Sequence, residues 1–313
     1  MRPLVLLGPQ RPDPNLRGPL DEAGCDGPCV LITAGWRGDE AEDAALRSHI
    51  GRPATALPLY RWFEAASVDA PDVAASWTRR QERLRALKRV HRLRLTPALE
   101  AWSELVRAED DRAIVDRELE RALRAVRQVD TDLLEETAAI EAEHSELARP
   151  WEDARLRSRH EAVCEALDGA GALLIAGGHV GVLMNRIRFF GVDVAAAARP
   201  DLLVAAWSAG LMALTDRIVL FYDDPPEGAA WPEVFGPGLG WLPGLVALPH
   251  ARRRLRLSEP GRVGLLARRF HPAVCVGLEN GAHLVLKDDR WVNVGVTETA
   301  FQLDGSGAVR GLS

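Results

Sequence analysis

A serine in a turn of small residues is the feature of this chain that most directly suggests chemistry. Ser208 lies in the run Ala-Ala-Trp-Ser-Ala-Gly at residues 205–210, directly after the apolar residues 202–204. A buried strand that ends in such a turn is typical of α/β enzymes, which present a nucleophile on a sharp bend between strand and helix. The hydroxyl is a weak nucleophile unless a base, held by a third group, removes its proton. The pattern therefore predicts a serine hydrolase if the chain supplies those groups.

The groups that could activate Ser208 lie downstream of it. His250 follows the apolar run 245–248 and Pro249, so it is expected at the end of a strand, where a loop imidazole can reach the serine. Two carboxylates could orient that imidazole. Asp223 stands fifteen positions after Ser208, and Glu279 ends a later strand. The sequence leaves both candidates for the triad acid open.

Substrate-binding groups are expected around the same edge of the sheet. The strand 172–176 ends in Gly177-Gly178, and the backbone N–H groups of Gly178 and Ala209 could stabilise a developing oxyanion. His179, which follows the two glycines, is expected to line the pocket. The arginines after His250, Arg252 and Arg254 among them, could bind a carboxylate of the substrate.

The apolar runs predict the scaffold. Short runs at residues 4–7 and 29–33, which end in Gly-containing turns at Gly8 and Gly35, favour strands of a parallel sheet. Residues 71–146 are instead charged and helical, and we expect a helical hairpin inserted into an α/β catalytic domain formed by 1–70 and 147–313. Thr96-Pro97 predicts a helix break. A heptad pattern between Val115 and Leu133 predicts a coiled-coil seam, used for dimerisation or partner binding or simply as padding.

Composition excludes several classes of protein. The chain has 313 residues and a formal net charge of −6, which favours neither nucleic acid nor an anionic membrane as a partner. The first apolar run is too short for a signal peptide, and no run approaches a transmembrane span, so we expect a cytoplasmic protein. The four cysteines lack the spacing of a zinc site and are expected to be reduced. We predict no metal and no cofactor.

These motifs resemble the S51 peptidases, which include aspartyl dipeptidases (dipeptidase E) and cyanophycinases. The resemblance covers about residues 172–303 and rests on four motifs. They are Ala-Gly-Gly at 176–178, Trp-Ser-Ala-Gly at 207–210, Leu-Pro-His at 248–250 with the arginines that follow, and Gly-Leu-Glu-Asn-Gly-Ala at 277–282. It implies a class I glutamine amidotransferase-like fold, a three-layer sandwich around a mostly parallel, flavodoxin-like sheet.

The resemblance also implies roles for residues. The family serine matches Ser208 and its histidine matches His250, while the acid matches Asp223 in the dipeptidase branch and Glu279 in the cyanophycinase branch. We prefer Glu279 because its segment matches over more residues. The chain departs from the family pattern after the glycines, where His179-Val180 replaces Asp/Asn-Gln, and at Leu211, where alanine is common. These departures leave the substrate open.

The predicted function is therefore hydrolysis of an amide or peptide bond through a Ser-His-Asp/Glu triad. The expected substrate is a small peptide with an aspartyl or isoaspartyl residue. One alternative is a catalytically inactive relative that binds partners through the helical arm. Another is an amidohydrolase that acts on a modified peptide or metabolite. A homodimer is compatible with the heptad seam.

Overall fold

The computed structural model describes residues 2–145, 149–224, 230–287 and 290–312. The strands are β1 (Leu4–Leu7), β2 (Cys29–Ile32), β3 (Ala54–Ala56), β4 (Ala172–Ile175), β5 (Leu203–Trp207), β6 (Arg217–Leu220), β7 (Glu233–Pro237), β8 (Leu245–Pro249), β9 (Val274–Leu278), β10 (His283–Lys287), β11 (Arg290–Asn293), β12 (Ala300–Leu303) and β13 (Val309–Gly311). The α-helices are α1 (Arg17–Glu22), α2 (Ala44–Ile50), α3 (Leu59–Asp69), α4 (Pro71–Arg107), α5 (Arg112–Ser145), α6 (Arg157–Asp168), α7 (Val180–Phe189), α8 (Val192–Ala197), α9 (Ala209–Leu214), α10 (Ala251–Arg254) and α11 (Pro260–Phe270). Short 3₁₀ helices span Ala34–Asp39 and Pro150–Glu152.

A seven-stranded sheet forms the centre of the fold, in the order β11-β10-β1-β5-β4-β2-β3. The five strands from β1 to β3 in this order are parallel, and β10 and β11 extend the sheet as an antiparallel hairpin. The predicted α/β architecture with a mostly parallel central sheet is therefore present. Parallel strands of this kind are short and apolar because helices cover both of their faces.

Alternate residues of these strands enter two separate cores. Ile175 and Val204 point to a face covered by helices that include α6, α7 and α9, whereas Leu174 and Ala205 point to a face covered by α1 and α2. This alternation follows from the two-residue repeat of a strand. Leu174 and Val204 are completely buried, and burial of such a side chain contributes about 1.5–3 kcal/mol.

A second sheet, which the sequence did not distinguish from the first, carries part of the site. Its order is β13-β12-β9-β8, with β8 and β9 parallel and the other pairs antiparallel. Strands β6 and β7 form a separate two-stranded ribbon. The C-terminal strands are thus divided between the sheets, since β10 and β11 join the central sheet and β12 joins the second. The main core contains residues of both sheets.

The predicted helical hairpin is formed by α4 and α5, which pack against each other and against the body. Leu95 and Leu99 meet Val115 and Val126 in a shared core that also includes Leu265 of α11. Ion pairs also join the two helices, because Arg80 pairs with Glu141 and Arg94 pairs with Asp132 of α5. The domain boundaries stay a prediction, and Glu146, the predicted end of the insertion, lies outside the described residues.

The predicted helix break at Thr96-Pro97 is wrong. Helix α4 continues through Pro97, which lies inside it. A proline within a helix removes one backbone hydrogen bond, but packing of the apolar face on both sides holds the helix together here. No helix in the described part of the chain is both long and apolar enough to cross a membrane.

Candidate active site

Ser208 occupies the bend between β5 and α9. Its backbone has φ 49° and ψ −123°, a conformation that side-chain-bearing residues rarely adopt. Such a conformation costs about 1–3 kcal/mol and persists only where the surroundings impose it. Strand β5 is fully buried before the bend and α9 is fully buried after it, whereas Ser208 itself is half-buried. The geometry is that of a nucleophile elbow, with the hydroxyl presented at the end of the sheet.

Small residues around Ser208 allow the backbone to approach it closely. A methyl group added to Gly177 would lie 2.7 Å from Ser208 Cβ and 3.4 Å from its Oγ. A methyl group added to Gly210 would lie 2.1 Å from the Ile175 carbonyl oxygen. Both positions therefore exclude any side chain. The two glycines set the distance between the end of β4 and the start of α9.

The two backbone N–H groups predicted to form an oxyanion hole belong to residues that line the rear side of the site together with Ser208. The first is that of Ala209, the first residue of α9, which has no acceptor within its own helix. The second is that of Gly178, whose backbone has φ 113°. The position of Gly178 is fixed on one side, because the His179 N–H donates to the Gly35 carbonyl at 2.8 Å. Within the described residues, neither of the two N–H groups has an acceptor.

His250 is the first residue after β8 and precedes α10. Its backbone is left-handed, with φ 59°, and its N–H donates to the Leu278 carbonyl at 2.8 Å. Burial lowers the pKa of the imidazole below its ordinary value, and the charges of Arg254 and Arg253 lower it further. The neutral ring, which can accept a proton, is therefore favoured near neutral pH.

Ser208 and His250 lie between two cavities and line both of them. We call these the front cavity, about 350 Å³, and the rear cavity, about 430 Å³. Gly178, Ser208 and His250 line both cavities. The rest of the front cavity is formed by Pro9, Gln10, Arg11, Pro12, Pro14, Trp36, Ala45, Leu46, His49, Gly177 and Trp207. The rest of the rear cavity is formed by His179, Val180, Gly181, Ala209, Met212, Leu220, Phe235, Pro249 and Arg254.

Ser208 and His250 line the same cavities but are not hydrogen-bonded to each other. Among the residues that the structure describes, neither the Ser208 hydroxyl nor the His250 ring hydrogen-bonds to a protein atom. Catalytic hydrogen bonds are often long in an empty enzyme and tighten when substrate binds. The arrangement leaves both groups available to a molecule that spans the two cavities.

Glu279 lies beside His250 in the second sheet. Strands β8 and β9 are parallel neighbours, and their last residues, Pro249 and Leu278, are register partners. His250 and Glu279 are the residues that follow. Glu279 Oε1 accepts a hydrogen bond from the Arg252 N–H at 2.8 Å, at the start of α10. Burial raises the pKa of Glu279, and Arg252 opposes that shift.

Asp223, the other predicted acid, is placed elsewhere. It is buried, and Oδ1 accepts from Arg262 Nη2 at 2.7 Å while Oδ2 accepts from the Arg256 N–H at 2.8 Å. It lines a different, small cavity with Trp231 and α11. Both oxygens are therefore used to hold the loop after α10, and the structure does not bring Asp223 to the imidazole.

The three predicted substrate-binding side chains have different surroundings. His179 is the N-cap of α7, where Nδ1 accepts from the Val182 N–H at 3.2 Å, and it also lines the rear cavity. Arg254 lines the rear cavity and forms no ion pair with a described side chain. Arg252 does not reach either cavity. Its guanidinium donates to the Glu298 carbonyl at 3.2 Å and lies over the Phe301 ring.

Sequence reasoning missed several residues that form the walls of the site. Arg11 and Trp36 stack in the front cavity, with 4.8 Å between the guanidinium carbon and the ring centroid. Phe235 of β7 closes the rear cavity. Trp36 follows the Gly-containing end of β2, so the rule that ligands bind at the carboxyl ends of parallel strands would have found it. Nothing in the sequence near Phe235 indicates its role.

Comparison with known proteins supports the fold. No family model matches the chain, and no curated protein matches it in sequence. A crystal structure of a peptidase from an acI-B1 Actinobacterium matches over 100% of this chain and 95% of its own, with a TM-score of 0.51 and 13% identity. A structure described as a "Putative Peptidase E Protein" from Listeria monocytogenes EGD-e matches over 95% of this chain and 99% of its own, with a TM-score of 0.43 and 10% identity. The chain therefore shares the α/β fold of the solved peptidase from the acI-B1 Actinobacterium.

Proposed function

We propose that this protein is a serine hydrolase that cleaves amide or peptide bonds. One observation carries the proposal. Ser208, on a strained bend at the end of the central sheet, lines the same two cavities as His250, which comes from the second sheet. The solved peptidase that shares the fold gives further support.

The proposed reaction uses these groups one after another. His250 removes the Ser208 proton while Oγ attacks the substrate carbonyl, and the N–H groups of Gly178 and Ala209 bind the resulting oxyanion. The C–N bond then breaks, and the imidazolium gives its proton to the departing amine. Water attacks the acyl-serine with His250 again as the base, and the acid product leaves. The two cavities accept the two sides of the scissile bond.

We assign the third role to Glu279 rather than Asp223. Glu279 follows the strand that pairs with the strand before His250, whereas Asp223 is bound to Arg262 in another cavity. In this role the carboxylate orients the ring and stabilises the imidazolium that forms during proton transfer. The assignment requires the imidazole and the Glu279 carboxylate to meet when substrate is bound.

The proposed substrate is a short peptide with an acidic residue. Arg254 is the observation that favours it, because this guanidinium lines the rear cavity and has no carboxylate partner among the described residues. A guanidinium without a partner is suited to bidentate recognition of a carboxylate. A panel of aspartyl, isoaspartyl and neutral dipeptides, together with small non-peptide amides, distinguishes a peptidase from an amidohydrolase that acts on a metabolite.

Covalent labelling tests the function without knowledge of the substrate. A fluorophosphonate probe should modify the wild-type protein at Ser208, as located by mass spectrometry of the digested protein. Ser208→Ala should abolish labelling, whereas Ser67→Ala, at an exposed serine of α3, should leave it unchanged. If folded wild-type protein is not labelled, the proposal fails and a binding protein that has kept the fold becomes the better interpretation.

A further inference from the structure

A further cavity, about 40 Å³, lies between the helical pair and the α/β body and is separate from Ser208. We call it the cationic cavity. Its walls come from α4, α5, α7 and β7, and the charged groups in it are Arg80, Lys88, Arg188 and Glu141. Three cations thus face one carboxylate.

The positive charge in this cavity is not balanced by its own residues. Glu141 Oε1 accepts from Arg80 Nη2 at 2.7 Å and from Arg188 Nη1 at 2.6 Å, so one carboxylate serves two guanidiniums. Arg80 is 4% exposed. Asp193 of α8 also faces Arg188, and burial raises the pKa of its carboxyl. Even when Asp193 is counted as a carboxylate, the three cations of the cavity outnumber the two acids. A buried excess of positive charge is costly unless an anion offsets it.

Lys88 is the cation with no acceptor. Within the described part of the chain its ammonium forms no hydrogen bond or ion pair, and Nζ lies 3.3 Å from the centroid of the Phe235 ring. Burial lowers its pKa to about 8, and the charges of Arg188, Arg80 and Arg85 act in the same direction against Glu141. The ammonium is therefore held at the cavity by an aromatic face alone.

A buried hydroxyl points to a ligand independently of the charges. Thr137 of α5 lines the same cavity and is 2% exposed, yet its Oγ1 has no hydrogen-bond partner among the described residues. Buried hydroxyl groups in folded proteins nearly always have a partner, either a protein atom or a bound molecule. A hydroxyl can donate to an anion in a way that a methyl group cannot.

From these contacts we propose that the cationic cavity binds a small oxyanion, a carboxylate or phosphate group, between Lys88, the two guanidiniums and the Thr137 hydroxyl. The bound anion would join α4 and α5 to α7, because its ligands come from all three helices. It would also touch the wall of the rear cavity, since Gly181 and Phe235 line both cavities. This site does not depend on the proposed hydrolase activity.

The chain contains two lysines, Lys88 and Lys287, which makes the site directly observable. Reductive ¹³C-methylation of the lysines gives separate NMR signals, and Lys88→Met assigns them. Sodium acetate and inorganic phosphate are then titrated in parallel at constant ionic strength, and the midpoint of each lysine's titration with pH is followed. Acetate tests a carboxylate ligand and phosphate tests a phosphate ligand.

If the site exists, at least one anion shifts the Lys88 signal saturably and raises its titration midpoint by about 1 pH unit, while Lys287 does not respond. Thr137→Val, which keeps the shape of the side chain, should weaken that binding about tenfold. Arg89→Met, an exposed neighbour, is the matched control and should leave binding unchanged. The proposal is overturned if neither anion shifts Lys88, if both lysines shift alike without saturation, or if Thr137→Val binds as the wild type does. Circular dichroism of each variant checks that the fold is retained.

Discussion

His250 and Glu279 occupy equivalent positions on neighbouring strands. Each is the first residue after one of the two parallel strands β8 and β9, and the His250 N–H donates to the carbonyl of Leu278, the residue before Glu279. The hydrogen-bonded strands thus fix the two backbones relative to each other. This relationship is the reason why we propose Glu279, rather than Asp223, as the acid that orients the imidazole.

Substitution of Glu279 should affect kcat, whereas substitution of Asp223 should affect stability. Glu279→Gln, which keeps the hydrogen bond from the Arg252 N–H, should lower kcat about 10²-fold or more with little change in stability. Asp223→Asn removes a buried charge that pairs with half-buried Arg262 and should lower the free energy of unfolding by about 3 kcal/mol. Its kcat, measured where the variant is folded, should stay near that of the wild type. The opposite pattern, lost turnover in folded Asp223→Asn alone, would contradict the assignment.

Gly177 tests the close approach to the nucleophile. Gly177→Ala places a methyl group against Ser208 and should reduce the rate of fluorophosphonate labelling at least about tenfold, because Ser208 and Ala209 must move apart from β4. Gly18→Ala is the matched control, since its added methyl group meets no atom within 4 Å. Equal labelling rates in the two variants would show that the close approach of Gly177 to Ser208 is not needed for the reactivity of Ser208.

The pH dependence of kcat/KM should report the lowered pKa of His250. Activity needs the neutral imidazole, so it falls as pH decreases through the pKa of His250, which lies below the ordinary value of 6.5. Arg253→Gln removes one of the charges that lower this pKa and should move the acid limb to higher pH. Arg89→Gln, which alters an exposed arginine of α4, serves as the control and should leave the limb where it is. A limb that moves to lower pH in Arg253→Gln would be incompatible with His250 as the base.

Arg254 and Arg252 should differ in their effect on substrate preference. Arg254→Met should raise KM for acidic dipeptides about tenfold, because its guanidinium lines the rear cavity, and should leave KM for neutral dipeptides nearly unchanged. Arg252→Met should have little effect on either, since Arg252 contacts Glu298 and Phe301 instead. Steady-state kinetics on both substrate classes measures the difference. Equal KM changes for acidic and neutral substrates would remove Arg254 from the proposed recognition of acids.

Pro97 should be a correctable weak point of α4. Pro97→Ala restores a backbone hydrogen bond in the helix interior and removes the clash of the proline ring with the preceding turn. Together these are worth about 3 kcal/mol, against the smaller benefit of proline rigidity in the unfolded chain. We expect a net gain of about 2 kcal/mol in the free energy of unfolding, measured by urea denaturation. Glu100→Ala, at an exposed position one turn away, should change it by less than about 0.5 kcal/mol. A loss of stability in Pro97→Ala would mean that the proline ring itself packs usefully.

The local patterns predicted those parts of the fold and site that depend on neighbouring residues. The apolar run before Ser208 and the small residues after it predicted both the strand and the bend, because these are decided within a few positions. The end of a strand likewise predicted where His250 would lie. In each case short-range sequence and backbone geometry are directly linked.

The parts that could not be predicted depend on where side chains point. Arg252 and Arg254 are two positions apart on a helical turn and therefore face opposite sides, which their shared charge does not reveal. Asp223 matches the family spacing, but its carboxylate forms an ion pair with Arg262, thirty-nine positions later. The division of the strands into two sheets is equally a matter of long-range packing. No local pattern separates β8 and β9 from the central sheet.

The origin of Ser208 and His250 in separate sheets has a consequence for how the protein tolerates change. Strands β5 and β8 belong to different sheets and are not hydrogen-bonded to each other. The distance between the Ser208 hydroxyl and the His250 ring therefore depends on the apolar side chains that pack between the two sheets. A large-to-small substitution among these side chains, far from Ser208 and His250, would let one sheet shift relative to the other. Turnover would then fail in a molecule that still melts as a single well-folded unit.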